Sequence, residues 1–117
     1  MKAQQALDLL SPIPSEAFCV KEFGNPDTQQ CCSIGHLQRL ASINPQNYSP
    51  YHCSDDMDHS IRRATRDYFY SLDLTGHIYG NLNSFAGVNN APSELYPQDK
   101  PKERIVALLT DMIKAGF

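Results

Sequence analysis

Pro101-Lys102-Glu103-Arg104-Ile105-Val106-Ala107-Leu108-Leu109-Thr110-Asp111-Met112-Ile113-Lys114-Ala115-Gly116 is the stretch that decides the fold class. Ile105, Leu108, Leu109, Met112 and Ile113 recur at i, i+3, i+4, i+7 and i+8, the apolar stripe of an amphipathic helix. Pro101 suits a first turn, where its missing N–H has no helical partner to lose, and Glu103 and Lys114 match the positive and negative ends of the helix. Gly116 supplies the C-terminal stop. A 117-residue chain with one such helix at its end has room for a single domain.

Working back, helical spacing recurs three times. Residues 54 to 72 form a long helix, with Ser54 as N-cap, Asp55 and Asp56 in the positive first turn, and Met57, Ile61, Ala64, Tyr68 and Leu72 as the core stripe. A helix from Gln30 to Ser42 turns Ile34, Leu37 and Ala41 inward and closes at Asn44-Pro45. Residues 2 to 10 form a third, with Ala3, Ala6, Leu7 and Leu10 on one face, ended by Ser11-Pro12-Ile13-Pro14. Residues 15 to 23 are ambiguous between a strand and a helical turn. The stretch 73 to 100 is irregular, broken by glycines and prolines, with one short helix over Asn81 to Val88. The expectation is a mostly α single domain, 1–117, of four or five helices.

Composition narrows function. The hydrophobic share is 41%, and no apolar run reaches the ~20 residues of a membrane span. The N-terminus lacks a secretory apolar core, so the expected location is cytoplasmic, and Cys19, Cys31, Cys32 and Cys53 are expected as reduced thiols. The net charge of −3 argues against a surface built for nucleic acid but leaves room for a local basic patch.

Four constellations could carry chemistry. On the 30–42 helix, Cys32, His36 and Arg39 fall on one outer face, and a thiol in a first turn is expected to have a lowered pKa. The order Cys32, His77, Asn89 matches the nucleophile, base and orienting amide of a cysteine hydrolase or transferase. The plainer alternative is that Cys32 packs as a small apolar residue and His77 is an ordinary loop histidine. Cys32, His36, Cys53 and His59 form the best four-ligand set for zinc, although Cys53-x5-His59 is looser than paired zinc spacings. On the 54–72 helix, His59, Arg62, Arg63, Arg66 and Tyr70 cluster on the face opposite the core stripe. Such a ridge suits a phosphate or a phosphorylated ligand, against the alternative of a solvated face whose arginines pair with Asp58 and Asp67.

Cys32-Ser33-Ile34-Gly35-His36-Leu37, Val88-Asn89-Asn90-Ala91 and Pro101 to Leu109 together resemble a group of small, uncharacterised bacterial and phage proteins. Those proteins pair a C-x-x-G-x-L helix start with an asparagine-containing turn before a terminal helix. Asn90 stands where that group's pattern leads us to expect an acidic residue. The resemblance implies a helical fold and a bacterial or phage origin, and no chemistry. The combined expectation is a small intracellular, non-enzymatic module without a cofactor. Its partner is a protein, such as a host factor that it inhibits, or a phosphorylated small ligand. It has no membrane role, and self-association is left open. The alternative is a cysteine-dependent hydrolase or transferase with Cys32 as nucleophile, His36 or His77 as base and Asn89 as the orienting amide.

Overall fold

The computed structural model describes residues 1–41, 59–78 and 82–117. Among these, five helices and one small hairpin follow in the order α1 (Ala3–Leu10), a single 3-10 turn (Ser15–Ala17), β1 (Gly24–Asn25), β2 (Gln30–Cys31), α2 (Ser33–Ala41), α3 (Ser60–Ser71), α4 (Phe85–Asn90) and α5 (Pro101–Lys114). The mostly α expectation holds. No helix among the described residues is long and apolar enough to cross a membrane.

The terminal helix is the centre of the packing, with α1 and α4 as its main neighbours. Pro101 opens α5 and Lys114 lies in its last turn, as the charge pattern predicts. Ile105, Leu108, Leu109 and Met112 are wholly buried, against Ala3, Ala6 and Leu10 of α1 and Phe85 and Val88 of α4 in one continuous core. Burying each of the larger side chains contributes about 1.5–3 kcal/mol. Ser84 caps α4, its hydroxyl accepting the Gly87 N–H at 3.0 Å.

Arg104 is the unexpected core residue, only 2% exposed. Its guanidinium donates to the carbonyls of Val88 (2.7 Å), Asn89 (2.6 Å), Gln98 (2.8 Å) and Asp99 (2.9 Å). A planar donor fork thereby ties the end of α4 and the 98–99 segment to α5. Nearby, the Tyr68 and Tyr96 hydroxyls lie 3.2 Å apart, and Tyr96 donates to Asp111 at 3.0 Å.

Three boundaries differ from the sequence reading. Gln30 and Cys31 leave the expected helix for strand β2, pairing antiparallel with Gly24 and Asn25. The ambiguous residues 15 to 23 divide between the 3-10 turn and a Phe18–Cys31 parallel bridge. The short helix expected over Asn81 to Val88 runs instead from Phe85 to Asn90, behind the Ser84 cap. In α3 the core face is Ile61, Thr65, Tyr68 and Phe69; Leu72 is 42% exposed. Helical direction ends at Ser71, and Asp73 at φ 59 turns the chain, so Leu72 is lifted off the stripe. The predicted Ser54 cap with Asp55, Asp56 and Met57 lies outside the described residues.

Candidate functional site

Cys32-x-x-Gly35-x-Leu37 is a structural unit with a physical reason at each position. Cys32 sits just before the first residue of α2, and its Sγ accepts the Gly35 N–H at 3.4 Å, a cap made by sulfur rather than a hydroxyl. A Cβ on Gly35 would stand 2.2 Å from the Phe23 carbonyl oxygen, so only glycine lets the hairpin backbone lie against α2. The same Phe23 carbonyl accepts from Cys32 N–H at 3.0 Å. Leu37 drops into the core.

Asn89, at the end of α4, joins this unit to the rest of the fold. Its Oδ1 accepts from both the N–H (3.0 Å) and the hydroxyl (2.6 Å) of Ser33, and its Nδ2 donates to the Cys19 carbonyl at 3.0 Å. Nδ2 also donates to Asn90 Oδ1 at 3.2 Å, and that oxygen accepts the Lys21 N–H at 2.8 Å. Lys21 holds a left-handed φ of 66, a conformation uncommon outside glycine.

Around this junction lies a cleft of about 150 Å³. Phe23, Ile34 and Ala86 supply its apolar walls; Lys21, Arg62, Glu22, Cys32, Asn89 and Asn90 supply its polar groups. The Arg62 guanidinium carbon stands 5.8 Å from the centre of the Phe23 ring, within cation–π range. Glu22 is drawn toward Asn25, whose Nδ2 donates to it at 3.1 Å. The side-chain charge of the cleft is therefore two cations against one carboxylate.

The expected outer face of Cys32, His36 and Arg39 does not form. Cys32 and His36 are buried and only Arg39 is exposed. His36 packs against the Phe18 ring with 4.7 Å between centroids, because the Phe18–Cys31 bridge lays residues 17 and 18 over the face that an isolated wheel turns outward. Its Nε2 lies 2.8 Å from the Ala17 carbonyl and its Nδ1 3.3 Å from Arg39 Nη2. A carbonyl only accepts and a guanidinium only donates, so the imidazole is neutral with its proton on Nε2. Burial pushes the His36 pKa down, outweighing the Ala17 bond that raises it, and the Arg39 charge adds to the lowering.

Cys32 likewise departs from the low pKa expected of a first-turn thiol. Burial raises it, outweighing the lowering by the Gly35 and Ile34 amides and by Arg62. The Cys32, His77, Asn89 set is not assembled into a relay. The Asn89 amide is committed to Ser33, Cys19 and Asn90, while His77 sits half-buried on the loop after α3, its N–H bonded to the Asn83 carbonyl at 2.9 Å.

For zinc, both ring nitrogens of His36 already have partners, and no cluster of three or more metal-ligating side chains occurs among the described residues. Cys53 of that set lies outside them.

The basic ridge is divided. Arg63 and Tyr70 are exposed, His59 is half-buried, and Arg66 pairs with neighbouring Asp67 at 2.9 Å. Arg62 is only 4% exposed and turns into the cleft instead, a correction to its expected place on the solvent face. Its position on the wheel borders the core stripe, and the Phe23 ring draws it inward.

No known protein family, curated protein or solved structure matches the chain. Lys21, Glu22, Phe23, Ala86 and Asn90 are the cleft residues that sequence reasoning missed. The signal for them was slight: a lysine in an unassigned stretch, and an Asn-Asn pair noted only as part of a turn.

Proposed function

We propose that this chain is a small intracellular binding module, and that its cleft receives an anionic side chain, a phosphorylated one above all, presented by a protein partner. The observation that carries this reading is the cleft itself: apolar walls from Phe23, Ile34 and Ala86, with Arg62 and Lys21 among them. At about 150 Å³ it is smaller than the ~300–1,000 Å³ of sites that enclose whole small-molecule ligands. A single ring-sized group on a larger partner is what such a space accommodates. An arginine fork is the preferred receptor for phosphate or carboxylate, and a low-exposure position strengthens each charge-assisted bond.

A binding role is favoured over the cysteine hydrolase because the groups that catalysis needs are otherwise engaged. His36 is neutral and covered, Asn89 braces α2, and the Cys32 thiol is raised rather than lowered in pKa.

Calorimetric titration with phenyl phosphate tests the proposal. Binding is expected for the native chain, with at least tenfold weaker affinity in Lys21→Glu, whose side chain is on the surface, and in Arg62→Gln. Unchanged affinity in both variants, each shown to be folded by circular dichroism, would remove the reading.

A further inference from the structure

Three cysteines with reduced thiols, Cys19, Cys31 and Cys32, meet where the 18–19 segment lies beside β2. The Phe18–Cys31 bridge is parallel, and Cys19 N–H donates to the Cys31 carbonyl at 3.0 Å. The bridge is isolated; at the next residue on each side the Asn89 amide links the Cys19 carbonyl to the Ser33 N–H in place of a direct rung, which leaves Cys19 beside Cys32 across that amide. Cys32 is still paired on its other edge, through its N–H to Phe23.

Alternation then sorts the thiols by face. Phe18 and Cys31 share one, over which α2 lies: Phe18 meets the His36 ring, and the Cys31 Cβ lies 3.2 Å from where a Gly35 Cβ would stand. Cys19 and Cys32 share the other: Cys32 lines the cleft, and the Cys19 thiol donates to the carbonyl of the cleft residue Glu22 at 3.6 Å. Cys32 belongs to the core cluster and Cys19 packs against that cluster. Strands paired as at the Phe18–Cys31 bridge lie about 4.8 Å apart, at the short end of the ~4.4–6.8 Å Cα separation that a disulfide spans. That leaves room for the parting that the Asn89 amide makes at the next pair.

We infer that Cys19 and Cys32 are an oxidative modification site, closing to an intramolecular disulfide when a small-molecule disulfide such as oxidised glutathione is supplied. Cys19 is the more exposed of the two and reacts first. Its thiolate attacks one glutathione sulfur, forming a mixed disulfide and expelling one glutathione thiolate, which takes a proton from water. Cys32 then loses its proton to solvent and attacks the Cys19 sulfur, expelling the second glutathione. Two protein thiols are oxidised and one glutathione disulfide is reduced to two thiols.

Burial pushes the Cys19 thiol up to about 11, with the Cys32 sulfur contributing more than Cys31 does. The first step is therefore slow at neutral pH. The product would join the two ends of the segment that carries Lys21, Glu22 and Phe23, and would take the Cys32 sulfur from its place on Gly35.

The test uses the full chain carrying Cys53→Ser, incubated with oxidised glutathione at about pH 9 and analysed by intact mass and peptide mapping. The expected product has lost two hydrogen masses, retains one titratable thiol, and yields a Cys19–Cys32 linked peptide. Adding Cys31→Ser should leave the crosslink intact, whereas adding Cys32→Ser should arrest the reaction at a glutathione adduct on Cys19. A crosslink through Cys31, a persistent adduct on Cys19 with Cys32 present, or no reaction at all would overturn the inference. None of these readouts depends on what the cleft binds.

Discussion

Replacing Gly35 by alanine sets two physical effects against each other with opposite signs. Judged by helix propensity alone, Ala in α2 stabilises the fold by up to about 1 kcal/mol over Gly. The packing argues otherwise. The new Cβ would stand 2.2 Å from the Phe23 carbonyl oxygen, where real contacts essentially never fall below 3.0 Å, so the hairpin must retreat by at least 0.8 Å (3.0 − 2.2). That oxygen is backbone, and it also accepts the Cys32 N–H, so the retreat strains a ladder bond as well as the contact. Overpacking of this kind costs about 1–3 kcal/mol and a weakened hydrogen bond about 0.5–1.5 kcal/mol. Subtracting the propensity gain leaves a net destabilisation of roughly 2 kcal/mol, or a fall in Tm of roughly 10 °C for a domain near this size. Urea unfolding followed by far-UV circular dichroism measures it directly: the midpoint should fall with the slope unchanged. A Gly35→Ala protein as stable as the native chain, or more so, would refute the close approach of the hairpin to α2.

Arg104→Met should destabilise by about 3 kcal/mol or more in thermal melts. It strips four backbone carbonyls of their donor in a buried place, and Arg104→Lys should recover little because one ammonium cannot span the fork. His36 sets a pH dependence. Its folded pKa is depressed below the ordinary 6.5, so the unfolded chain binds the proton more readily, and the stability it contributes is complete above about pH 6.5 and lost as pH falls below it. Urea midpoints between pH 7.5 and pH 5 should decline in the native chain and decline less in a folded His36→Gln variant; parallel declines would contradict the buried neutral imidazole. Cys32 should react with iodoacetamide more slowly than a free thiol at pH 7, with its rate still rising above pH 9, because burial raises its pKa. A rate that levels off below pH 7 would restore the nucleophile.

What could be read from the sequence was what depends on local periodicity and end chemistry. The α5 stripe, its Pro101 start and its charged ends are all local, and the structure agrees with them. The α2 boundary was not legible, because Gln30 and Cys31 become a strand only by meeting Gly24 and Asn25 around a turn, and nothing in their own spacing records that partner. The same blind spot misplaced His36. A wheel identifies the face of a helix opposite its apolar stripe, but it does not show that Phe18 and Ala17 arrive to cover that face.

Two arginines show the limit from another side. Arg62 reads as part of the outer ridge and the spacing of Arg104 marks it for no role, yet both are buried where π or carbonyl electron density receives the guanidinium. The motif Cys32-x-x-Gly35-x-Leu37 was visible as letters. Its meaning, a sulfur cap, a backbone approach and a core anchor, required the hairpin to be in place. Asn89, by residue order the orienting amide of a catalytic relay, instead orients the N-terminus of α2 against α4.

The most direct measurement is a titration of the isotopically labelled chain with phenyl phosphate, followed by amide chemical shifts. An anion received in the cleft moves Lys21, Glu22, Ala86 and Asn90 together in a saturable, common binding curve, while Arg63 and Tyr70 on the exposed side of α3 stay still. Shifts confined to Arg63, Arg66 and Tyr70, or no saturable shifts anywhere, would contradict the cleft as the receiving site.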